Sequence, residues 1–553
     1  MRLIERRIGL LFLLFFSGLF LAGAKAAWLG VVRADGLGRA ASTQQTARVV
    51  VPGVRGTVTD RNGVELAISE PATSVVATPY LVRDKVRAAE RLAPILDRRA
   101  SELLRVLSER GSGFAYLARQ LPAARAEQAE RLGLEGIEFV PEARRSYPRD
   151  WLASQLLGTV GTDNVGLAGL EYAHDRVLRG RAGERRLTKD ARGLPIDLRE
   201  TRRSRRGADV SLTIDTQIQD RTEDVLQQVG QAFRPRGATA VVMDPRNGEL
   251  LALANWPRVD ANDVSAAPPY ARQNRATGAA YEPGSTFKAL TVAGALQDDR
   301  VTPETSFTLP PQIRVADRVI GESHQRGTET LNTANILAQS SNVGAIRIGQ
   351  RLGKRRFDHW VRAFGFGQRT GVDLPGEEGG IVPKVQDYSD SSIGNLPIGQ
   401  GLAVTPMQMA AAYSAIANGG VLRAPHVIRS VDGKRSPAPQ GRRVISARTA
   451  TAVRIMLEGV LGPGGTASEA SIPGYTLAGK TGTANKPDPA TGGYSDSKYV
   501  ASFVGFAPAR RPRLLVSVMV DEPQGDIYGA TVAAPAFQRI TSFALPYLRI
   551  PPK

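Results

Sequence analysis

Three short motifs in this chain bring hydroxyls, amines and an amide together at spacings that suit acyl transfer. The first is Ser285-Thr286-Phe287-Lys288, preceded by Tyr281-Glu282-Pro283-Gly284. Proline and glycine before the serine predict a helix starting close to it, and residues at i and i+3 share one helix face. A serine hydroxyl becomes a nucleophile only when a base takes its proton. A lysine is such a base only when burial or a nearby cation lowers its pKa. The helix N-terminus adds a positive field where an oxyanion would form. The second motif, Ser340-Ser341-Asn342, offers a relay hydroxyl and an amide that both donates and accepts. The third, Lys480-Thr481-Gly482-Thr483-Ala484, reads as an edge strand. There the lysine and threonines can hold a carboxylate, and Gly482 leaves room for a substrate backbone. Each motif alone also has an ordinary reading: a helix with a solvated lysine, a polar turn, a strand end. A second Ser-x-x-Lys, Ser495-Asp496-Ser497-Lys498, lies in Pro/Gly-rich sequence with no helix start and is discounted.

Together the motifs run in the order Ser-x-x-Lys, Ser-x-Asn, Lys-Thr-Gly. Ser285 precedes Ser340 by 55 residues, and Ser340 precedes Lys480 by 140. Penicillin-binding proteins and serine β-lactamases share this set, here with Ser-Ser-Asn in the middle in place of Ser-Asp-Asn. Further segments extend the likeness over nearly the whole chain: Arg55-Gly56, Asp60-Arg61-Asn62-Gly63, Arg145-Ser146-Tyr147-Pro148, Gly169-Leu170-Glu171, Asp373-Leu374-Pro375-Gly376-Glu377 and Gly399-Gln400-Gly401. The sequence thus resembles a class B penicillin-binding protein, a membrane-anchored peptidoglycan D,D-transpeptidase. Ala501-Ser502-Phe503-Val504-Gly505-Phe506 and Asp521-Glu522-Pro523 are most similar to the division-specific, FtsI-type enzymes. No Glu-Asp-x-x-Phe glycosyltransferase signature precedes residue 208, which argues against a bifunctional class A protein.

The resemblance implies roles. Ser285 is the nucleophile, neutral Lys288 its base, and Ser340 a proton relay to the leaving amine, aided by Lys480. Asn342 binds peptide and places Lys288. Thr481, Gly482 and Thr483 bind substrate, the two threonines holding its terminal carboxylate. The backbone N–H groups of Ser285 and Thr483 form the oxyanion hole. Lys288 and Lys480 face one another, each cation disfavouring the other. No metal or organic cofactor is implied. The implied ligands are D-Ala-D-Ala stem peptides and, as covalent inhibitors, β-lactams. The implied partners are a SEDS-type glycan polymerase and other divisome membrane proteins. The same motifs also serve an elongation-type transpeptidase, a D,D-carboxypeptidase, a β-lactamase, or an idle β-lactam sensor or scaffold.

The elements that must position these residues are predicted as α+β. Residues 210–214 read as a strand and 217–233 as an amphipathic helix. Residues 238–243 and 249–254 flank Asp244-Pro245-Arg246-Asn247-Gly248 as a hairpin, 500–506 and 514–520 are strands, and 535–548 is a terminal helix. This predicts an antiparallel sheet flanked by helices. Upstream, alternation around Asn62-Gly63 signals another hairpin, residues 82–135 have helical spacing, and 136–206 mix short strands with glycine turns. Residues 33–50 read as a linker with helical potential, and 433–443 and 486–497 as exposed loops. The expected domains are 1–34 (tail and transmembrane anchor), 35–207 (an elongated non-catalytic pedestal) and 208–553 (the transpeptidase domain).

Composition narrows the field further. With 553 residues, 42% of them hydrophobic, the chain can fill several cores. The absence of cysteine excludes disulfides, thiolate catalysis and cysteine-bound metal. Four histidines, His174, His324, His359 and His426, are too scattered to suggest a metal cluster or a Ser-His-Asp triad. Residues 8–24 form an unbroken run of apolar or small side chains behind Arg2, Arg6 and Arg7. That run is long enough to cross a bilayer with its positive flank in the cytoplasm. Ala24-Lys25-Ala26 alternatively offers a signal-peptide cleavage site. Either reading exports the body, and the anchor reading places it outside a bacterial inner membrane. Lys and Arg number 72 against 53 Asp and Glu, with twelve basic and four acidic residues in 176–206. Without aromatic interleaving or a nucleic-acid motif, this excess is read as a solvated surface or one drawn to anionic lipid or wall polymer, and nucleic acid is not a predicted partner.

Overall fold

A computed structural model describes residues 2–31, 46–51, 53–109, 114–189, 195–488, 490 and 492–552. The chain divides into two compact units, one of residues 1–54 with 180–207, the other of 55–179 with 208–553.

In the first unit, helix α1 (Arg2–Val31) is built from leucine, phenylalanine and alanine without proline. None of its Arg7–Val31 stretch is buried, and it is long and apolar enough to cross a membrane. Strands β1 (Thr46–Val51), β6 (Gly183–Lys189) and β7 (Pro195–Arg202) form an antiparallel sheet with β6 in the centre. Helical potential was expected over 33–50. Of that segment, 33–45 lies outside the described residues, and 46–50 is strand, its β-branched valines paired to β6.

The second unit opens with the expected hairpin, β2 (Val58–Thr59) turning into β3 (Glu65–Ala77). Asp60 closes the turn by accepting from the backbone of Asn62 and Val64 at 2.7 and 2.9 Å. Next come α2 (Lys85–Leu96), α3 (Ala100–Leu107), β4 (Ala115–Pro122), α4 (Ala123–Glu130) and β5 (Ile137–Ser146). β3 pairs with both β4 and β5. Leu92, Leu96, Leu103, Leu107 and Leu117 fill a core of their own beside this sheet. β4 was expected to be helical.

Strand β8 (Val210–Leu212) runs parallel to β2 and antiparallel to β11 (Ile428–Val431). Helix α5 (Thr216–Phe233) follows, capped by Asp215. The main sheet is antiparallel and five-stranded. Its order is β10 (Leu250–Trp256), β9 (Gly237–Met243), β14 (Leu514–Asp521), β13 (Gly493–Ala507) and, at the edge, β12 (Ala478–Asp488). β9 is buried at every position and β14 at all but its last, as expected of strands covered on both faces. α5 and the terminal helix α11 (Ala534–Tyr547) pack together against this sheet. Helix α9 (Pro406–Ala417), buried all round, packs on the sheet and against α10 (Ala447–Glu458). Helices α6 (Lys288–Gln297), α7 (Thr333–Ala338) and α8 (Asn342–Leu352) complete the frame of the site. The fold is thus mixed α/β, with an antiparallel main sheet as the pattern predicts. Of residues 486–497, expected as a loop, 486–488 and 493–497 instead belong to the paired strands β12 and β13, and 489 and 491 lie outside the described residues.

Candidate active site

Ser285 lies in a 3₁₀ turn, Gly284–Phe287, that runs straight into α6. With three residues per turn, a 3₁₀ segment stacks i over i+3, so Lys288 follows the serine more directly than in the α-helix expected there. The turn is held from several directions. Gly284, at φ +54°, donates its N–H to the Gly399 carbonyl at 3.0 Å. Thr286 Oγ1 donates to Pro283 O at 2.7 Å, and the Tyr413 hydroxyl donates to Thr286 O at 2.6 Å. Phe287 is buried against Phe357 and Phe366.

Lys288 is 1% exposed. Its Nζ donates to Ser340 O at 2.6 Å, to Asn342 Oδ1 at 2.7 Å and to Ser340 Oγ at 3.3 Å. Burial lowers its pKa to about 7; Glu322 opposes the shift and Arg326 adds to it. All three acceptors are neutral, so they orient the ammonium without supplying a counter-charge. Ser340 lies between α7 and α8 at φ +60°, a strained conformation for a non-glycine residue. Ser341 caps α8, its Oγ accepting from Gly344 N at 2.9 Å.

The third motif lies on the edge strand β12, as expected. Lys480 is fully buried, and its Nζ donates to Thr481 O and Oγ1, each at 3.3 Å. Burial and the charge of Lys288 drive its pKa well down. Burial is the largest cause at both lysines, and the anticipated repulsion adds to it at Lys480. Thr481 Oγ1 is 3.0 Å from Thr466 Oγ1, and Thr483 Oγ1 accepts from Gly529 N at 3.0 Å. A Cβ on Gly482 would meet Ser502 Oγ at 2.4 Å, Pro283 O at 2.9 Å and Thr286 Cγ2 at 2.9 Å. The glycine is therefore needed to seat the strand against the serine turn, in addition to any closeness it gives a substrate. A Cβ on Gly284 would stand 3.0 Å from Thr483 O, so the strand edge runs alongside Ser285.

The three segments border one cleft of about 640 Å³, lined among others by Ser285, Ser340, Asn342, Thr481 and Thr483. Lys288 and Lys480 are buried behind this lining. Sequence reasoning missed His324, Arg326, Thr466 and Tyr528, which share the cleft. None carries a spacing signal, since tertiary folding alone brings them there. Ser495 and Lys498 lie in strand β13, where positions three apart point to opposite faces. The Ser495 hydroxyl accepts from the backbone of Ser497 and Lys498 at 3.3 and 3.1 Å. Among the described residues, no group of three or more His, Asp or Glu side chains could hold a metal ion.

Residues 238–542 match the penicillin-binding protein transpeptidase domain. The chain belongs to the penicillin-binding proteins. Residues 50–212 match the family's dimerisation domain, giving the class B pairing of domains. The chain is 34% identical to stage V sporulation protein D of Bacillus subtilis over 90% of this chain and 79% of that one. It is likewise 34% identical to peptidoglycan D,D-transpeptidase FtsI of Escherichia coli, over 96% and 90%. It resembles the crystal structure of penicillin-binding protein 3 of Mycobacterium tuberculosis complexed with aztreonam, with a TM-score of 0.71 and 30% identity over 91% of this chain and 98% of that one.

Proposed function

We propose that this penicillin-binding protein is a peptidoglycan D,D-transpeptidase that crosslinks stem peptides through an acyl-serine intermediate and is acylated at the same serine by β-lactams. The observation that carries the reading is the lodging of Lys288: buried, one 3₁₀ turn from Ser285, hydrogen-bonded to neutral oxygens of the second motif, with a pKa of about 7. A general base is most effective when its pKa lies near the working pH.

Ser285 Oγ attacks the penultimate D-Ala carbonyl carbon while neutral Lys288 Nζ takes the hydroxyl proton. The N–H groups of Ser285 and Thr483 hold the developing oxyanion. The C–N bond breaks as Ser340 Oγ, aided by Lys480, passes the proton held on Lys288 Nζ, 3.3 Å from it, to the departing D-Ala amine. Asn342 binds the peptide backbone and fixes Lys288. Thr481 and Thr483 hold the terminal carboxylate of D-Ala, or that of a β-lactam, and Gly482 keeps this strand close to the serine. An amine of a neighbouring stem then attacks the acyl carbon and gives a proton to neutral Lys288, which returns it to Ser285 Oγ as the ester C–O bond breaks, forming the crosslink and freeing Ser285. These steps use only side-chain and backbone groups.

The setting is proposed as septal wall synthesis. The protein is anchored in the bacterial inner membrane by α1, with residues 35–207 as pedestal and 208–553 as catalytic domain outside it, beside a SEDS-type glycan polymerase and divisome membrane proteins. Identity to FtsI and the segment 501–506 support this setting. The test is covalent labelling by fluorescent penicillin. Ser285→Ala abolishes it and Ser495→Ala leaves it intact; labelling that survives the first substitution assigns the nucleophile elsewhere.

A further inference from the structure

One carboxylate sits behind the second motif and does not line the cleft. Glu322 follows the strand Arg318–Gly321. Its Oε1 accepts from Ser341 Oγ at 2.5 Å and from Val343 N at 3.1 Å, and its Oε2 accepts from Asn342 N at 2.7 Å. The neighbouring Gly321 carbonyl accepts from Asn342 Nδ2 at 3.0 Å. Residues 321–322 therefore grip Asn342 by both backbone and side chain, which turns the amide oxygen towards Lys288. The carboxylate also satisfies orphan N–H groups at the α8 N-terminus, where negative charge is favoured.

We propose that Glu322 is the positioning residue of this active site. Its carboxylate clamps the start of α8 so that Ser340 and Asn342 stay on the Lys288 amine, and its negative charge faces that amine from behind the clamp. The inference rests on Lys288 being the base. The charged groups facing Lys288 are Glu322, Arg326 and Lys480. Arg326 is itself tied to Glu329 at 3.2 Å and to Gln339 Oε1 and O at 3.1 and 2.9 Å. Glu322 is thus the one carboxylate among these groups, and it holds the lysine proton on. Removing its charge lowers the pKa of Lys288, so more of the amine is neutral at a given pH.

The test is the rate of penicillin acylation of the full chain across pH 5–9 for Glu322→Gln, Glu322→Asp and Ser341→Ala, with Lys288→Ala alongside. Glu322→Gln keeps the shape but not the charge. It is expected to slow the plateau rate roughly tenfold through the loosened clamp and to move the midpoint about one pH unit lower. Glu322→Asp and Ser341→Ala, which loosen the clamp but keep the charge, lower the plateau and leave the midpoint in place. A wild-type midpoint in Glu322→Gln, or an equal shift in Glu322→Asp, overturns the proposal. Full activity in Lys288→Ala overturns instead the assignment of the base.

Discussion

Two groups of buried charge in this molecule have opposite designs. Near the start of the second unit, Arg55 is wholly buried and binds Glu171 through Nε at 2.5 Å and Asp175 through Nη1 at 2.6 Å. Arg145 closes on the other oxygen of Glu171 at 2.7 Å and donates to the Gly56 carbonyl at 2.8 Å. Each cation there meets a carboxylate. In the active site, Lys288 and Lys480 are equally buried, yet their hydrogen bonds go to hydroxyl, amide and carbonyl oxygens. Burial of an ion is costly unless it is paired. The first group meets that requirement. The second does not, and its amines lose their protons readily, which suits a base. The difference between a structural ion cluster and a reactive one lies in what faces the cation, since the depth of burial is the same.

The largest expected effect breaks the comparison at the lysine. Lys288→Met removes the proposed base, and penicillin acylation is expected to fall about 10²–10⁴-fold. Stability moves the other way. The folded pKa of about 7 lies below the ordinary lysine value of 10.5. Below pH 7 the amine is charged in both folded and unfolded chains, and the folded one bears the full burial cost. Between pH 7 and 10.5 that cost fades. The variant therefore melts higher than wild type, most clearly at or below pH 7 and least at high pH. A lower melting temperature at pH 6 would place Lys288 among the structural cations.

The next effect strikes the paired cluster. Glu171→Gln leaves Arg55 and Arg145 buried without their shared carboxylate, a loss of about 3–5 kcal/mol. It is read as a lower denaturant midpoint, with the acylation rate of the remaining folded protein unchanged. Unaltered stability would mean that Asp175 alone neutralises both arginines.

The two clusters were not equally visible in the sequence. Arg55, Arg145 and Glu171 were picked out by resemblance, but nothing in their spacing said that residues 116 and 26 positions apart form one network. The three motifs were legible because each is local: serine to lysine within a turn, Ser340 to Asn342 at a helix start, Lys480 to Thr483 along a strand. Glu322 was not, because it lies 20 residues before Asn342 and reaches it only through the fold. The fold shows the same division. The Asn62-Gly63 hairpin and the 238–254 hairpin follow from local alternation and turn chemistry. β4 falls in the stretch 82–135, read as helical from its spacing; within it Leu117 and Leu121, both buried, are four apart, which satisfies the helical period as well as the strand period. Pairing with β3 decided between them. The 486–497 segment looked like loop from its prolines and glycines, yet its ends continue the ladder between β12 and β13.

A third buried group falls between the two designs. Glu223 on α5 has Oε1 held by Ala153 N and Gln219 Nε2, each at 2.7 Å, while Oε2 has only Arg258 Nε at 3.7 Å. Burial raises its pKa to about 7; the bonds from Gln219 and Ala153 and the charge of Arg258 offset this only in part, and Asp220 adds to the rise. An acid whose folded pKa is raised binds its proton more tightly when folded. Its contribution is therefore most favourable below the ordinary value of 4.5 and is lost as pH rises through about 7. Glu223→Gln removes that loss. The variant should gain on wild type by roughly 1–3 kcal/mol between pH 5 and pH 8, measured as the difference in unfolding free energy at the two values. A gain independent of pH would show that Arg258 pairs with Glu223 as fully as Arg55 does with Glu171, moving this carboxylate into the closed kind of cluster.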